Sequence, residues 1–262
     1  MKKILSMLLV LCMALTLCSA AFAEGKSPVD GMTVAFIPKV SGNSFFEAAN
    51  DGAQKYAEKW GLTVDYIGAP TADVTTQLEL IQQAIDKGVD AICISSVDAT
   101  GLDEKLQEAQ DAGIYVSTWD SDVSPNARAL MVSQGTADVL GPMLVEMAVD
   151  SLKERGVDVN GEVKYVWHFS NPSVSDQNSW YVAGDAYIKE KYPTWVAVHD
   201  PYYSNQDPAQ SVSVGESILD AYADVDVIIC NDSTALPGQC KAAENKGLTA
   251  KDITITGFCT PS

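Results

Sequence analysis

Basic residues are scarce in this sequence: 17 lysines and arginines stand against 35 aspartates and glutamates, a formal charge of −18 over 262 residues. A surface so acidic repels phosphate backbones, and nucleic acid is not expected as a partner. Histidine is nearly absent, with His168 and His199 far apart, and no HxxxH, CxxC or EF-hand spacing occurs, so the usual metal patterns are missing. No GxSxG elbow, GxGxxG turn or Walker loop is present. Neither an activated serine nor a nucleotide cofactor therefore has a recognisable seat, and no cofactor is expected. Beyond the N-terminus no hydrophobic run approaches the roughly 20 residues of a membrane span.

What is present begins with a leader. Lys2 and Lys3 form a basic start, Ile4 to Leu17 is an apolar run, and Ala21-Phe22-Ala23 supplies the small-x-small pattern that signal peptidase reads before Glu24. Residues 1–23 are expected to be a secretory signal peptide, with the mature chain exported to the periplasm or the outer face of the cytoplasmic membrane. Leu17 stands before Cys18 where lipidation wants a small residue, which disfavours a lipid anchor. Cys93, Cys230, Cys240 and Cys259 remain in the mature chain, scattered and mostly within or beside apolar runs. They are expected to be small buried hydrophobes, with a Cys230–Cys259 disulfide open in an exported protein because both follow successive strands at one sheet edge.

The mature chain repeats one unit, a short β-rich run followed by a helical pattern. Runs at 33–37, 63–67, 90–94 and 114–118 alternate with helices near 44–60, 74–87 and 101–112, each ending at a glycine suited to a left-handed cap: Gly61, Gly88 and Gly113. After a run at 129–132, a second series predicts helices near 137–153, 176–191, 208–221 and 233–245, and strands near 163–168, 196–199, 225–230 and 253–258. The segments GVDAICIS and DVDVIICN echo one another as near-continuous apolar strands covered on both faces. The expected fold class is α/β: two Rossmann-like doubly wound lobes, 24–125 and 126–262. The ending at GFCTPS, directly after a strand, leads us to expect a C-terminally truncated second lobe.

In open parallel sheets ligands bind beyond the carboxyl ends of the strands. Lys39, Asp120 to Asp122 in the STWDSD loop, Ser175-Asp176-Gln177 and Asn231-Asp232-Ser233 all fall at such ends and can face one cleft. Each has a plainer alternative. Lys39 can be a solvated charge, Asp120 or Asp122 a turn residue, and Ser175 or Asp176 a helix cap. Together the carboxylates, lysine and glutamine amide suit a neutral polyol, whose hydroxyls both accept and donate. Phe45, Phe46 and Trp119 can wall its apolar faces or serve as ordinary core aromatics.

FIPKVSGNSFF, STWDSD followed by SQGT, GPMLVEMA, SVSDQNSW, NDSTALPG and GFCTPS occur in the order seen in the type 1 periplasmic sugar-binding proteins, and the chain resembles that family over almost all of its mature length. It looks most like the branch that binds autoinducer-2 for Lsr-type ABC importers and quorum sensing. The resemblance implies two lobes with a three-strand hinge and a monomer that delivers a small cyclic ligand to a membrane permease. In that branch the ligand is a boron-free tetrahydroxy-tetrahydrofuran. Carried over residue by residue, Lys39, Asp120, Asp176 and Gln177 would grip it, with backbone contacts near Asn231 and Ser233. The branch has Pro-Asp-Ala where this chain reads Asn231-Asp232-Ser233. Relatives that bind rhamnose carry Asn at the position of Asp176, so rhamnose or another monosaccharide is the alternative ligand. Presentation to a membrane signalling receptor is a further role the resemblance leaves open. On the residues alone, Lys39 with Asp120 or Asp176 could serve as acid and base, but no cofactor motif supports an enzyme and none is expected.

Overall fold

In the computed structural model, residues 27–259 are described; the leader, Cys12 and Cys18 lie outside them. The first half alternates β1 (Thr33–Ile37), α1 (Ser44–Trp60), β2 (Thr63–Tyr66), α2 (Val74–Lys87), β3 (Ala91–Ile94), α3 (Asp103–Asp111), β4 (Tyr115–Trp119) and β5 (Leu130–Val132). The second continues through α4 (Ala137–Glu154), β6 (Lys164–Phe169), α5 (Ser175–Lys191), β7 (Val196–Ala197), β8 (Tyr202–Tyr203), α6 (Pro208–Ala221), β9 (Val227–Cys230), α7 (Ala235–Asn245) and β10 (Thr254–Gly257). The strands form two parallel sheets, ordered β2-β1-β3-β4-β5 and β10-β9-β6-β7, with β8 also paired to β6. Strand β5 lies past the boundary expected at 125/126, yet it hydrogen-bonds to β4 and extends the first sheet.

Local chemistry explains most boundaries. Asn43 caps α1 by accepting from the Phe45 N–H, and Asp73 caps α2 by accepting from Thr76. Gly61 and Gly88 take the left-handed conformation after these helices, as their positions predict. Every residue of β9 is buried, as is most of β6, because helices cover both faces of the second sheet. The predicted strand at 196–199 is shorter, since the chain leaves β6 after Ala197 and returns to it at Tyr202–Tyr203.

One packing contact is tight enough to predict a consequence. Helices α4 and α5 cross at Gly141 and Gly184, where a Cβ on Gly141 would lie 2.6 Å from the Gly184 nitrogen and 2.7 Å from the Trp180 carbonyl oxygen. Backbone atoms cannot swing aside as side chains do. Gly141→Ala is therefore expected to lower stability by about 1–3 kcal/mol, measurable as a reduced urea midpoint.

Candidate functional site

Each sheet reverses its strand order once, between β1 and β3 in the first and between β6 and β9 in the second. Such switch points open a crevice beyond the strand ends, and here the two crevices face each other. Lys39 follows β1 and Ser95 follows β3; Asp176 and Gln177 lie in the first turn of α5 after β6, and Asn231-Asp232 follow β9. Contacts between the lobes close the arrangement. Asn43 Nδ2 donates to Ser233 Oγ (3.2 Å) and Thr234 Oγ1 (3.1 Å), Ala99 N–H to the Ser173 carbonyl (3.0 Å), and Asp122 N–H to Ser175 Oγ (2.9 Å).

At the centre stands a buried charge cluster. Lys39 is not the solvated charge a lone lysine usually is: it is only 2% exposed, and its ammonium lies 3.1 Å from both oxygens of Asp176 and 2.9 Å from Asp120 Oδ2. Ser95 Oγ donates to Asp120 Oδ2 at 2.7 Å, Gln134 Nε2 donates to Asp120 Oδ1, and Ser121 Oγ donates to Asp176 Oδ1 at 2.7 Å. Asp120 has φ of 61°, a left-handed conformation uncommon outside glycine, and its backbone N–H is held by the Val132 carbonyl at 2.9 Å. Strain of this kind gathers where a side chain must be aimed, at a cost of about 1–3 kcal/mol.

One lysine cannot neutralise two carboxylates, and the titration of the cluster follows from that. Burial works to lower the Lys39 ammonium, but Asp120 and Asp176 outweigh it and the net direction is up. Burial, the largest influence on Asp176, pushes its carboxyl up to about 6 despite the pull of Lys39, and Asp120 adds to the rise. The cluster therefore holds one negative charge in excess of its cation, a charge that donors from a ligand can satisfy.

The opposite wall belongs to the second lobe. Gln177 Nε2 donates to Asp232 Oδ2 (2.7 Å), and its Oε1 accepts from the Ser170 N–H (3.1 Å). Asp232 Oδ1 accepts from the N–H groups of Thr234, the N-cap of α7, and of Ala235, its first residue. Helix α7 thus begins at Ala235 rather than at Ser233, where the pattern placed it. Asn231 Nδ2 donates to the Gln177 carbonyl at 2.6 Å. Between the walls lies a cavity of about 250 Å³ lined by Lys39, Asp120, Asp176, Gln177, Asn231 and Ser233, and by Phe45 and Phe46.

Several expectations change in detail. Trp119 does not line the cavity; it packs behind it, stacked on Phe36 at 4.7 Å between centroids and edge-on to Phe46 at 5.8 Å. Ser175 and Asp176 do not cap α5, whose N-cap is Val174. Ser175 instead bonds the Asp122 backbone across the lobes, and Asp176 turns to Lys39. Asp122 takes a bidentate ion pair with Arg128 and accepts from Thr118 Oγ1, away from the cavity lining. Cys230 and Cys259 are both free, and Cys240 and Cys259 are exposed rather than buried. Among the described residues no cluster of His, Cys, Asp and Glu is placed to hold a metal ion, and no helix is long and apolar enough to cross a membrane.

The cavity also takes residues that the sequence patterns did not single out: Gln134, Trp180, Gln206 and Phe258. Trp180 and Phe258 meet edge-to-face at 5.6 Å and give the cavity a second aromatic side. Trp180 was within reach of the sequence, since it lies four residues after Asp176 on one face of α5.

These features define a class: two α/β lobes that meet at a small cavity lined by buried polar side chains and aromatic rings from both, an architecture suited to binding a small molecule. The chain belongs to the periplasmic binding protein domain family, which matches residues 34–262. Its fold is shared with LsrB from Clostridium saccharobutylicum, solved in complex with AI-2, at 60% identity and a TM-score of 0.87 over 88% of this chain and 71% of that one. An ABC transporter solute-binding protein from Clostridium phytofermentas, solved with bound L-rhamnose, shares the fold at 24% identity and a TM-score of 0.81, over 87% of this chain and 69% of that one. A D-ribose/D-allose-binding protein of Pseudomonas aeruginosa is 31% identical over 133 residues, a match that covers 48% of this chain and 41% of that relative's length.

Proposed function

We propose that this chain is the extracytoplasmic receptor of an ABC importer and that it binds autoinducer-2, in its cyclic polyhydroxylated form, between the lobes. The observation that carries the reading is the buried Lys39 between Asp120 and Asp176, with Gln177 beside it, on the wall of a cavity of about 250 Å³. Pockets for drug-sized ligands run to roughly 300–1,000 Å³, so this one suits a single small ring. Its polar wall offers two carboxylates to ligand hydroxyls, and ammonium and amide donors to ligand oxygens, all in a site where such charge-assisted bonds are strong. Identity of 60% to the LsrB solved with AI-2, against 24% to the protein solved with L-rhamnose, favours autoinducer-2 over a hexose. Lys39 and Asp120 come from one lobe, and Asp176 and Gln177 from the other. A ligand gripping all four would hold the lobes together, the signal by which such receptors present a loaded state to a permease.

The test is calorimetric titration with autoinducer-2, L-rhamnose and D-ribose at pH 7.5. Tightest binding of autoinducer-2 is expected; preference for rhamnose or ribose would replace it with a monosaccharide receptor. The titration of Asp176 adds a second expectation. Its carboxyl takes a proton near pH 6 in the ligand-free protein, while a ligand hydroxyl donates to the ionised form. Affinity should hold above pH 7 and fall on the order of 10-fold towards pH 5. Binding near pH 6 should release a proton, seen as a dependence of the heat on buffer. For ligand-free stability the sign is opposite. The folded state binds this proton more tightly than the unfolded chain, so the contribution is full below pH 3.8 and lost as pH rises through about 6.

A further inference from the structure

We infer that Gln206, together with Asn231, forms a second ligand-contacting wall in this cavity, an acceptor pair that selects ligands presenting hydroxyl donors to the second lobe. The inference rests on the receptor reading and adds a residue that none of the motifs singled out.

The evidence starts with the backbone. Asn205 and Gln206 are consecutive residues in the left-handed region, with φ of 52° and 55°, which asparagine visits readily and glutamine seldom does. Their neighbours pin the turn: Ser204 N–H donates to the Phe169 carbonyl, Asn205 N–H to the Ser170 carbonyl at 2.9 Å, and Asp207 N–H to the Ser204 carbonyl, also at 2.9 Å. Asp207 then caps α6 through the Gln210 N–H at 2.7 Å. Surroundings that over-determine an unfavourable residue are characteristic of functional turns. Here the outcome is to bring the Gln206 side chain into the wall, 4% exposed.

Hydrogen-bond chemistry then fixes which atom lacks a partner. Gln206 Nε2 donates to Asp232 Oδ2 at 3.2 Å. A carboxylate only accepts, so the NH₂ group must face it and Oε1 must be the other end. That oxygen is buried and has no hydrogen-bond partner among the described residues. Asn231 repeats the pattern: Nδ2 donates to the Gln177 carbonyl, another pure acceptor, and the buried Oδ1 has no partner among the described residues. Asn231 is 1% exposed. Both side chains line the same cavity. Buried acceptors are almost always paired, and leaving one unmade is costly. Two such oxygens on one wall are matched by a ligand with hydroxyl donors on the face turned away from Lys39. In this chain side chains would thus supply polar contact on a wall where the resemblance implied backbone contacts alone.

Gln206→Met keeps the length of the side chain and removes both polar atoms, while Gln206→Gly also relieves the left-handed backbone. Autoinducer-2 is titrated into the wild type and both variants, and the ligand-free melting temperature of each is recorded. The expected result is a dissociation constant raised about 10-fold in both variants, with melting temperatures within about 3 °C of the wild type. An unchanged dissociation constant would overturn the inference. So would a loss of affinity matched by a fall in melting temperature beyond about 5 °C in both variants, because Gln206 would then be a structural prop for Asp232. If the wild type ignores autoinducer-2 but binds rhamnose or ribose, the autoinducer-2 assignment fails and the same variants titrated with that sugar decide the role of Gln206. Binding of none of the three by the wild type would overturn both readings.

Discussion

Replacing Lys39 with methionine is expected to destabilise the ligand-free protein by roughly 3–5 kcal/mol at pH 8 and to remove measurable autoinducer-2 binding. Among the described residues the lysine is the only cation in contact with Asp120 and Asp176, at 2.9 and 3.1 Å. Without it two buried carboxylates face each other, supported only by neutral donors from Ser95, Ser121 and Gln134. The penalty should shrink at pH 5, where Asp176 is protonated, and should be largely repaired in the Lys39→Met, Asp176→Asn double variant, which removes one excess charge. Urea unfolding of the three proteins at the two pH values measures this directly. An equal midpoint for wild type and Lys39→Met at pH 8 would mean that the cluster is not ionised as described.

Asp176→Asn should separate stability from binding. In the ligand-free protein burial, with the charge of Asp120 adding to it, makes an ionised Asp176 unfavourable, as its carboxyl, pushed up to about 6, records. An asparagine keeps an oxygen for Ser121 Oγ, now 2.7 Å from Asp176 Oδ1, and leaves Lys39 paired with Asp120. The melting temperature at pH 8 is therefore expected to stay level or rise. Affinity for autoinducer-2 should fall by roughly 10-fold or more, because a neutral amide accepts ligand hydroxyls more weakly and spends one side on donors. Stability gained where affinity is lost is the usual signature of a binding residue held in an unfavourable state. Unchanged affinity would remove Asp176 from the ligand's partners.

Much of this architecture is legible in the sequence, for physical reasons. Asn43 and Asp73 with Gly61 and Gly88 mark helix ends through chemistry confined to a few neighbouring residues, and α1, α2 and α6 begin and end where the pattern places them. The unbroken apolar runs ending at Ile94 and Cys230 predict strands buried on both faces, which β9 is throughout. Legibility ends where a property depends on residues far apart. Lys39 can be read either as a cleft residue or as a solvated charge, because the partner that meets it in the buried cluster, Asp176, is 137 residues away. Ser204, Asn205, Asp207 and Pro208 signal a turn, but nothing local gives the left-handed geometry of Gln206, which is held by contacts of its neighbours to Phe169 and Ser170. Trp119 can be read from sequence either as a cavity wall or as a core aromatic, and contacts to Phe36, Phe45 and Phe46 behind the cavity make it the second. Exposure of Cys240 and Cys259 is likewise set by packing that hydrophobic pattern cannot reveal.

The central claim is that four side chains from two lobes converge on one small ring. A crystal structure of this protein grown with autoinducer-2 tests it most directly. The account predicts one ligand in the cavity beneath Phe45 and Phe46, with its oxygens within about 3.2 Å of Lys39, Asp120, Asp176 and Gln177. A ligand bound elsewhere, or held in the cavity without contact to Lys39 and Asp176, would contradict it.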